Sequence, residues 1–172
     1  NVSNVFNILD GISSICIADR DNDQINDVLL GFDSWGNTLE VSAIDQNYQS
    51  QQHYYGYGLD IVTGIEIVDL DGDREKELVV TSGTNVAGST NPEDYANYIH
   101  IFNAKTGALI WRCSKIGGMS SQVNSLKIGN IDDDEELDII LLKPRLWVDN
   151  ETTILGVIDG KNHEMIISKR QD

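Results

Sequence analysis

The sequence predicts an all-β chain assembled from three repeats of four short antiparallel strands. Two observations carry this expectation. A nine-residue acidic loop, flanked on both sides by apolar runs, occurs three times, and a turn signal recurs behind each copy. No stretch shows the apolar spacing of a helix. An internal repeat outranks any single motif as a guide to architecture.

The middle loop is the clearest. Asp69-Leu70-Asp71-Gly72-Asp73-Arg74-Glu75-Lys76-Glu77 follows the alternating run Ile65-Glu66-Ile67-Val68 and leads into Leu78-Val79-Val80. Carboxylates stand at loop positions 1, 3, 5 and 9, with Gly72 at position 4, where the chain must turn sharply. Asp19, Asp21, Asp23 and Asp27 repeat the spacing between Ile15 and Ile17 on one side and Val28-Leu29-Leu30 on the other. Asn130, Asp132, Asp134 and Asp138 repeat it between Leu126 and Ile128 and the run Ile139-Ile140-Leu141-Leu142.

Ca²⁺ is a hard cation that takes about 6–8 oxygen ligands, and acids on alternate residues of a tight turn can converge on one. The alternative for each loop is a solvated turn without metal. Clustered carboxylates repel one another unless something neutralises them, which favours the cation. An EF-hand is excluded. Its loop lies between helices and ends in a bidentate Glu at position 12, whereas Leu30, Val80 and Leu141 stand there in this chain.

With 172 residues the chain is long enough for one domain with a sizeable core. Its net charge is −16, and 15 of its 28 acidic residues lie in the three loops, so the acidity is clustered in sites. Three bound Ca²⁺ would bring the charge to about −10. No basic cluster exists, which argues against nucleic acid or an anionic membrane surface. No apolar run is long enough for a membrane-spanning helix, so direct membrane insertion is not expected. The chain starts at Asn1 without Met or a signal-like segment and reads as a processed or excised piece. Cys16 and Cys113 fall in different repeats and are expected as free thiols, with a disulfide left open. The sequons at Asn1 and Asn150 add little in an Asn-rich chain.

Taken in order, 2–9 is a short strand, and the first repeat runs over about 11–57. Its strands are expected before the loop at Asp19, after Asp27, over 38–44 and over 48–55. The second repeat, about 58–117, has strands over 61–68, 77–82, 98–102 and 108–111, with a long polar connector over 83–97. The third, about 118–172, has strands over 122–128, 138–142, 153–158 and 163–168. Asp45, Asn103 and Asp159 each open the turn between third and fourth strands. A twisted four-stranded antiparallel sheet repeated in series is the blade of a β-propeller. The expectation is one propeller segment over 1–172, with about three blades. Propellers close with roughly 4–8 blades, so other blades, in cis or in trans, are needed to complete the ring.

These residues resemble the FG-GAP/VCBS repeats, the calcium-binding blades of the integrin-α-type propeller. Asp69-Leu70-Asp71-Gly72-Asp73 followed by Glu77-Leu78-Val79-Val80 is close to the family pattern, and the hairpin over 101–111 also resembles quinoprotein-like blades. The resemblance covers about 11–168. It implies two to three Ca²⁺, held by side chains at positions 1, 3, 5 and 9 and by a backbone carbonyl at position 7, here Ile25, Glu75 and Glu136. Asn130 in place of an acid, and Asn22 and Asp133 in place of Gly, are departures, and the third loop departs most. The resemblance also implies an extracellular, secretory-lumen or periplasmic setting and an adhesion-like role.

Catalytic constellations are missing. His53, His100 and His163 lie in separate parts of the repeat plan, without a Ser or Cys partner by spacing. The loops and the third-to-fourth-strand turns should emerge on one face. The other face would carry Asp33, Trp35, Tyr54, Tyr55, Tyr57, Tyr95, Arg145 and Trp147. Trp35, Tyr55, Tyr57, Tyr95, Arg145 and Trp147 are the candidate contacts for a protein or glycan; the alternative is that such aromatics wedge between blades. The leading expectation is a non-catalytic recognition module. Its rivals are the propeller part of a polysaccharide-degrading enzyme and a structural scaffold subunit.

Overall fold

The computed structural model describes residues 11–33, 38–45, 50–57, 61–83, 97–113, 125–132, 134–143 and 153–171. Among them are twelve strands and no helix: β1 (Gly11–Ala18), β2 (Asp27–Asp33), β3 (Thr38–Ile44), β4 (Ser50–Tyr57), β5 (Ile61–Val68), β6 (Glu77–Gly83), β7 (Tyr98–Asn103), β8 (Leu109–Arg112), β9 (Ser125–Gly129), β10 (Asp138–Lys143), β11 (Thr153–Ile158) and β12 (Met165–Gln171). Every pairing is antiparallel, and within each group of four each strand pairs with the next. The first two groups are joined into one eight-stranded sheet, because β2 also meets β5 through a single residue pair, Asp33 with Ile61. The last four strands form a sheet of their own.

The register repeats along with the sequence. The residue before each acidic loop pairs with the loop's ninth residue: Ala18 with Asp27, Val68 with Glu77, Gly129 with Asp138. Irregularities repeat too. β1 and β5 slip register at Ile12/Ser14 and at Val62/Gly64, fifty residues apart. The third strands slip against the fourth at Ala43/Ile44, Ile101/Phe102 and Val157/Ile158. A bulge bends a strand and increases its twist. The five slips fall at matching places in the groups, although β9 pairs with β10 without one.

Side chains alternate across a strand, so a strand covered on both sides buries both alternating sets of side chains. That is β6, where every residue from Glu77 to Gly83 is buried. Leu78 and Val80 face a cluster with Leu29, Val41, Ala43 and Tyr54 of the first group and Val62, Ile65 and Phe102 of the second. Val79 faces the other way, into a cluster with Ile99, Ile101 and Cys113, together with Leu126, Ile139, Leu141 and Ile158 of the third. The second group therefore lies between the other two. Its neighbour β7 is equally apolar, and His100 is fully buried within it, stacked on Phe102 with ring centroids 5.9 Å apart.

Several expectations shift by a few residues. β4 starts at Ser50 and runs to Tyr57, and β12 starts at Met165, with His163 in the preceding turn. The expected strand over 2–9 lies outside the described residues. Both cysteines are free, Cys113 buried and Cys16 half-buried. Tyr54, expected on an open face, is instead fully buried between the first two groups. Its hydroxyl donates to the Ala104 carbonyl, and burial pushes its pKa up to about 12.

Candidate metal centre

Each acidic loop joins the first two strands of its group and is held in shape by its own carboxylates. In the middle loop, Asp71 Oδ1 accepts the Asp73 N–H at 3.2 Å and Asp73 Oδ1 accepts the Glu75 N–H at 2.7 Å. Asp69 Oδ2 accepts the Arg74 N–H at 2.9 Å, and Glu77 Oε2 reaches back to the Leu70 N–H at 2.8 Å. The first loop repeats the pattern, with Asp19 accepting from Asp23 and Gln24 at 3.1 Å and Asp23 from Ile25 at 2.8 Å. The third does so through Asp132, Asp134 and Asp138, which accept from Asp134, Glu136 and Ile131 at 3.2, 3.1 and 2.7 Å.

The turn at position 4 has the left-handed backbone expected of it, at Gly72 (φ 76°) and Asn22 (φ 63°). Position 6 is left-handed as well, at Gln24 (φ 71°) and Arg74 (φ 75°). Neither residue type favours that region, and nothing in the sequence marks it.

The carboxylates converge in threes. Asp19, Asp21 and Asp23 bring oxygens within 4.8 Å of one another, as do Asp69, Asp71 and Glu77, and Asp132, Asp134 and Asp159. Two oxygens on one Ca²⁺, each about 2.3–2.6 Å from it, can be at most about 5 Å apart, so the spacing suits that ion. Two buried carboxylate oxygens, Asp69 Oδ1 and Asp21 Oδ1, have no hydrogen-bond partner. A buried acceptor left unmatched is costly, and a cation beside it would remove the cost. Burial first, then the charges of Asp71, Asp73 and Asp69, push Glu77 up to about 7. The residues present thus fit a divalent cation, best in the middle loop.

The three loops are not equivalent. In the first, Arg20 pairs with the position-9 carboxylate of Asp27 at 3.0 Å and with Asp21 at 3.6 Å; Asp27, like Asp73 and Asp138 in the other loops, is outside its converging trio. Burial pushes Asp27 up and Arg20 pulls it back. Burial also works against Asp19, but N–H bonds and the Lys76 charge hold it below the ordinary carboxylate range. In the third, Asp159 from the β11–β12 turn joins Asp132 and Asp134. The loop spacing does not reach Asp159, which the sequence marks only as the start of a turn. Asn130, expected as a ligand, turns its amide to the Asp134 carbonyl.

The expected position-7 residues differ in what their side chains do. Glu75 accepts from Asn103 Nδ2 at 3.0 Å, and Glu136 pairs with Lys161, which holds it low. Both thereby tie a loop to the turn of its own group. Ile25 is exposed. The turns match each other: Asn103 accepts from Lys105 and Thr106, Asp159 from Lys161 and Asn162. His163 takes the left-handed place that Gly107 occupies, at φ 60° against 74°.

Loops also touch the neighbouring group. Arg20 donates to the Ala104 and Lys105 carbonyls at 3.3 Å, Asn22 Nδ2 to the Arg74 carbonyl at 3.1 Å, and Lys76 Nζ to the Asp19 carbonyl. The Leu137 N–H donates to the Leu70 carbonyl at 3.0 Å.

Of the expected partner contacts, Trp35, Tyr95, Arg145 and Trp147 lie outside the described residues, while Tyr55 and Tyr57 are placed only by the backbone of β4. In comparison with known proteins, no family model and no curated protein matches the chain.

Proposed function

We propose that the chain is a calcium-stabilised segment of a β-propeller with four-stranded blades, of the FG-GAP/VCBS type it resembles. Its setting is extracellular, lumenal or periplasmic. Its role is non-catalytic recognition of a protein or glycan. The observation that carries the reading is the threefold recurrence of one loop, in one strand register, with carboxylate oxygens at calcium-compatible spacing.

Asp19, Asp21 and Asp23 would hold one ion, with Asp27 behind them. Asp69, Asp71, Asp73 and Glu77 would hold a second, and Asp132, Asp134, Asp138 and Asp159 a third. A bound ion supplies positive charge that offsets carboxylate repulsion. It acts on stability, because a site absent from the unfolded chain couples binding to folding. Loops and turns are occupied with one another at one end of the strands. A partner is then met at the other end, where β2, β6 and β10 finish and β3, β7 and β11 begin.

Thermal unfolding during a calcium titration tests the shared premise. The midpoint should rise with Ca²⁺ and fall on chelation; an unchanged melting temperature in EDTA removes the metal from the reading. Glycan-array and protein-capture binding, run beside an assay for cleaved polysaccharide, tests the rest. Product formation would replace recognition by catalysis.

A further inference from the structure

The second position of the loops, which the carboxylate pattern leaves open, carries three different residues: Arg20, Leu70 and Ile131. Leu70 is buried and Ile131 exposed, and both are apolar. Arg20 is only 8% exposed, and its guanidinium is engaged on two sides. Toward its own loop, Nε meets Asp27 Oδ2 at 3.0 Å and Nη2 meets Asp21 Oδ2 at 3.6 Å. Toward the next group, Nη1 donates to the Ala104 and Lys105 carbonyls at 3.3 Å. An arginine side chain is charged at any working pH. The seat therefore fixes one positive charge against the carboxylates at positions 3 and 9.

A second cation leans the same way. Lys76 belongs to the middle loop, yet its Nζ donates to the Asp19 carbonyl and lies 3.8 Å from Asp19 Oδ2. Asp19, Asp21 and Asp27 of the first loop thus each meet a cation of the protein. Among the described residues, no cation pairs with Asp69, Asp71, Asp73 or Glu77, and Asp69 Oδ1 is buried without a hydrogen-bond partner.

We propose that Arg20 is a built-in counter-ion of the first loop, so that calcium fills the middle loop first and the first loop only at higher concentration. An incoming Ca²⁺ meets uncompensated carboxylates in the middle loop. In the first it meets carboxylates already partly offset, beside a guanidinium that repels it at close range. Burial and the two carbonyls hold that guanidinium in place, so it does not swing into solvent to make room. Asp21 keeps its other oxygen, Oδ1, unmatched, which leaves the first loop able to bind. The proposal rests on the cation reading of the loops and adds an order of filling to it.

Calcium titration of the isotope-labelled chain at neutral pH, followed by amide NMR, tests it. The Ile25 and Glu75 N–H groups each bond the position-5 carboxylate of their own loop and so report the two loops separately. In the parent, the Glu75 signal should reach its midpoint at lower calcium than the Ile25 signal. Arg20→Gln should move the Ile25 midpoint to about tenfold lower calcium and leave that of Glu75 in place. Arg20→Lys keeps the charge and should stay near the parent. Loss of fold in Arg20→Gln would show in the same spectra, and the parent order and Arg20→Lys then still decide. Simultaneous filling in the parent, or an Ile25 midpoint unmoved by Arg20→Gln, would overturn the proposal while the cation reading stands. An equal shift in Arg20→Lys and Arg20→Gln would overturn it as well, by assigning the order to packing and not to charge. Amides that ignore calcium in every loop would remove the cation reading and the proposal together.

Discussion

Glu77 concentrates the physical tension of the middle loop in one carboxyl group. It is buried, bonded to the Leu70 N–H, and crowded by three aspartates. Its folded pKa of about 7 lies above the ordinary value of 4.5. Between the two, the folded protein keeps a proton that the unfolded chain has lost. The stability contributed by that proton is fully present below the lower value and is lost as pH rises through the upper one. At about 1.4 kcal/mol per pKa unit, the effect amounts to a few kcal/mol. In chelator, the parent should therefore lose stability relative to Glu77→Gln as pH rises from 5 to 8, read by thermal unfolding. Parallel profiles for the two would show that Glu77 is not the titrating group. Calcium should reverse the trend, since it binds the carboxylate and not the acid.

Two glycines separate local from tertiary cost at the scale of the loop and turn. Gly72 has φ 76° with nothing within 4 Å of a would-be side chain. Gly72→Ala then costs only the left-handed backbone, about 1 kcal/mol. At Gly160 a Cβ would sit 1.9 Å from the backbone carbonyl oxygen of Leu137, a residue whose N–H donates to the Leu70 carbonyl. Gly160→Ala should cost more, about 2–3 kcal/mol, by forcing loop and turn apart. Denaturant titration of both variants checks the order, and equal losses would remove the loop-to-turn contact from the account. The loops were legible because their chemistry is local: alternate acids, a glycine, and flanking aliphatic runs. Left-handed backbone at Gln24 and Arg74 was not, because it follows from carboxylates turning N–H groups inward. Nor was the entry of Asp159, which the fold brings in from the β11–β12 turn.

At the scale of the whole molecule, burial among the described residues is greatest in β6 and β7 of the middle group. β6 is buried on both faces and hydrogen-bonded on both sides, while β1 pairs only with β2 and turns its isoleucines outward. Local opening free energies follow such differences. Amide exchange should be slowest in β6 and β7 and fastest in β1 and β12, measured on the calcium-loaded protein at low concentration. Uniform protection would mean that the three groups open as one unit.

Strand identity, strand order and the acidic loops were determined by the sequence itself, since period-two alternation, turn residues and carboxylate spacing act over a few neighbouring residues. The tertiary structure decided the rest. It joined the first eight strands through Asp33 and Ile61, drew Tyr54 from an expected surface into a seam, and set Arg20 against both Asp21 and Asp27 of the first loop. Each of these depends on contacts between residues far apart in the chain, for Arg20 through the Ala104 carbonyl. No local pattern encodes them, because they form only when one apolar face finds another to cover it.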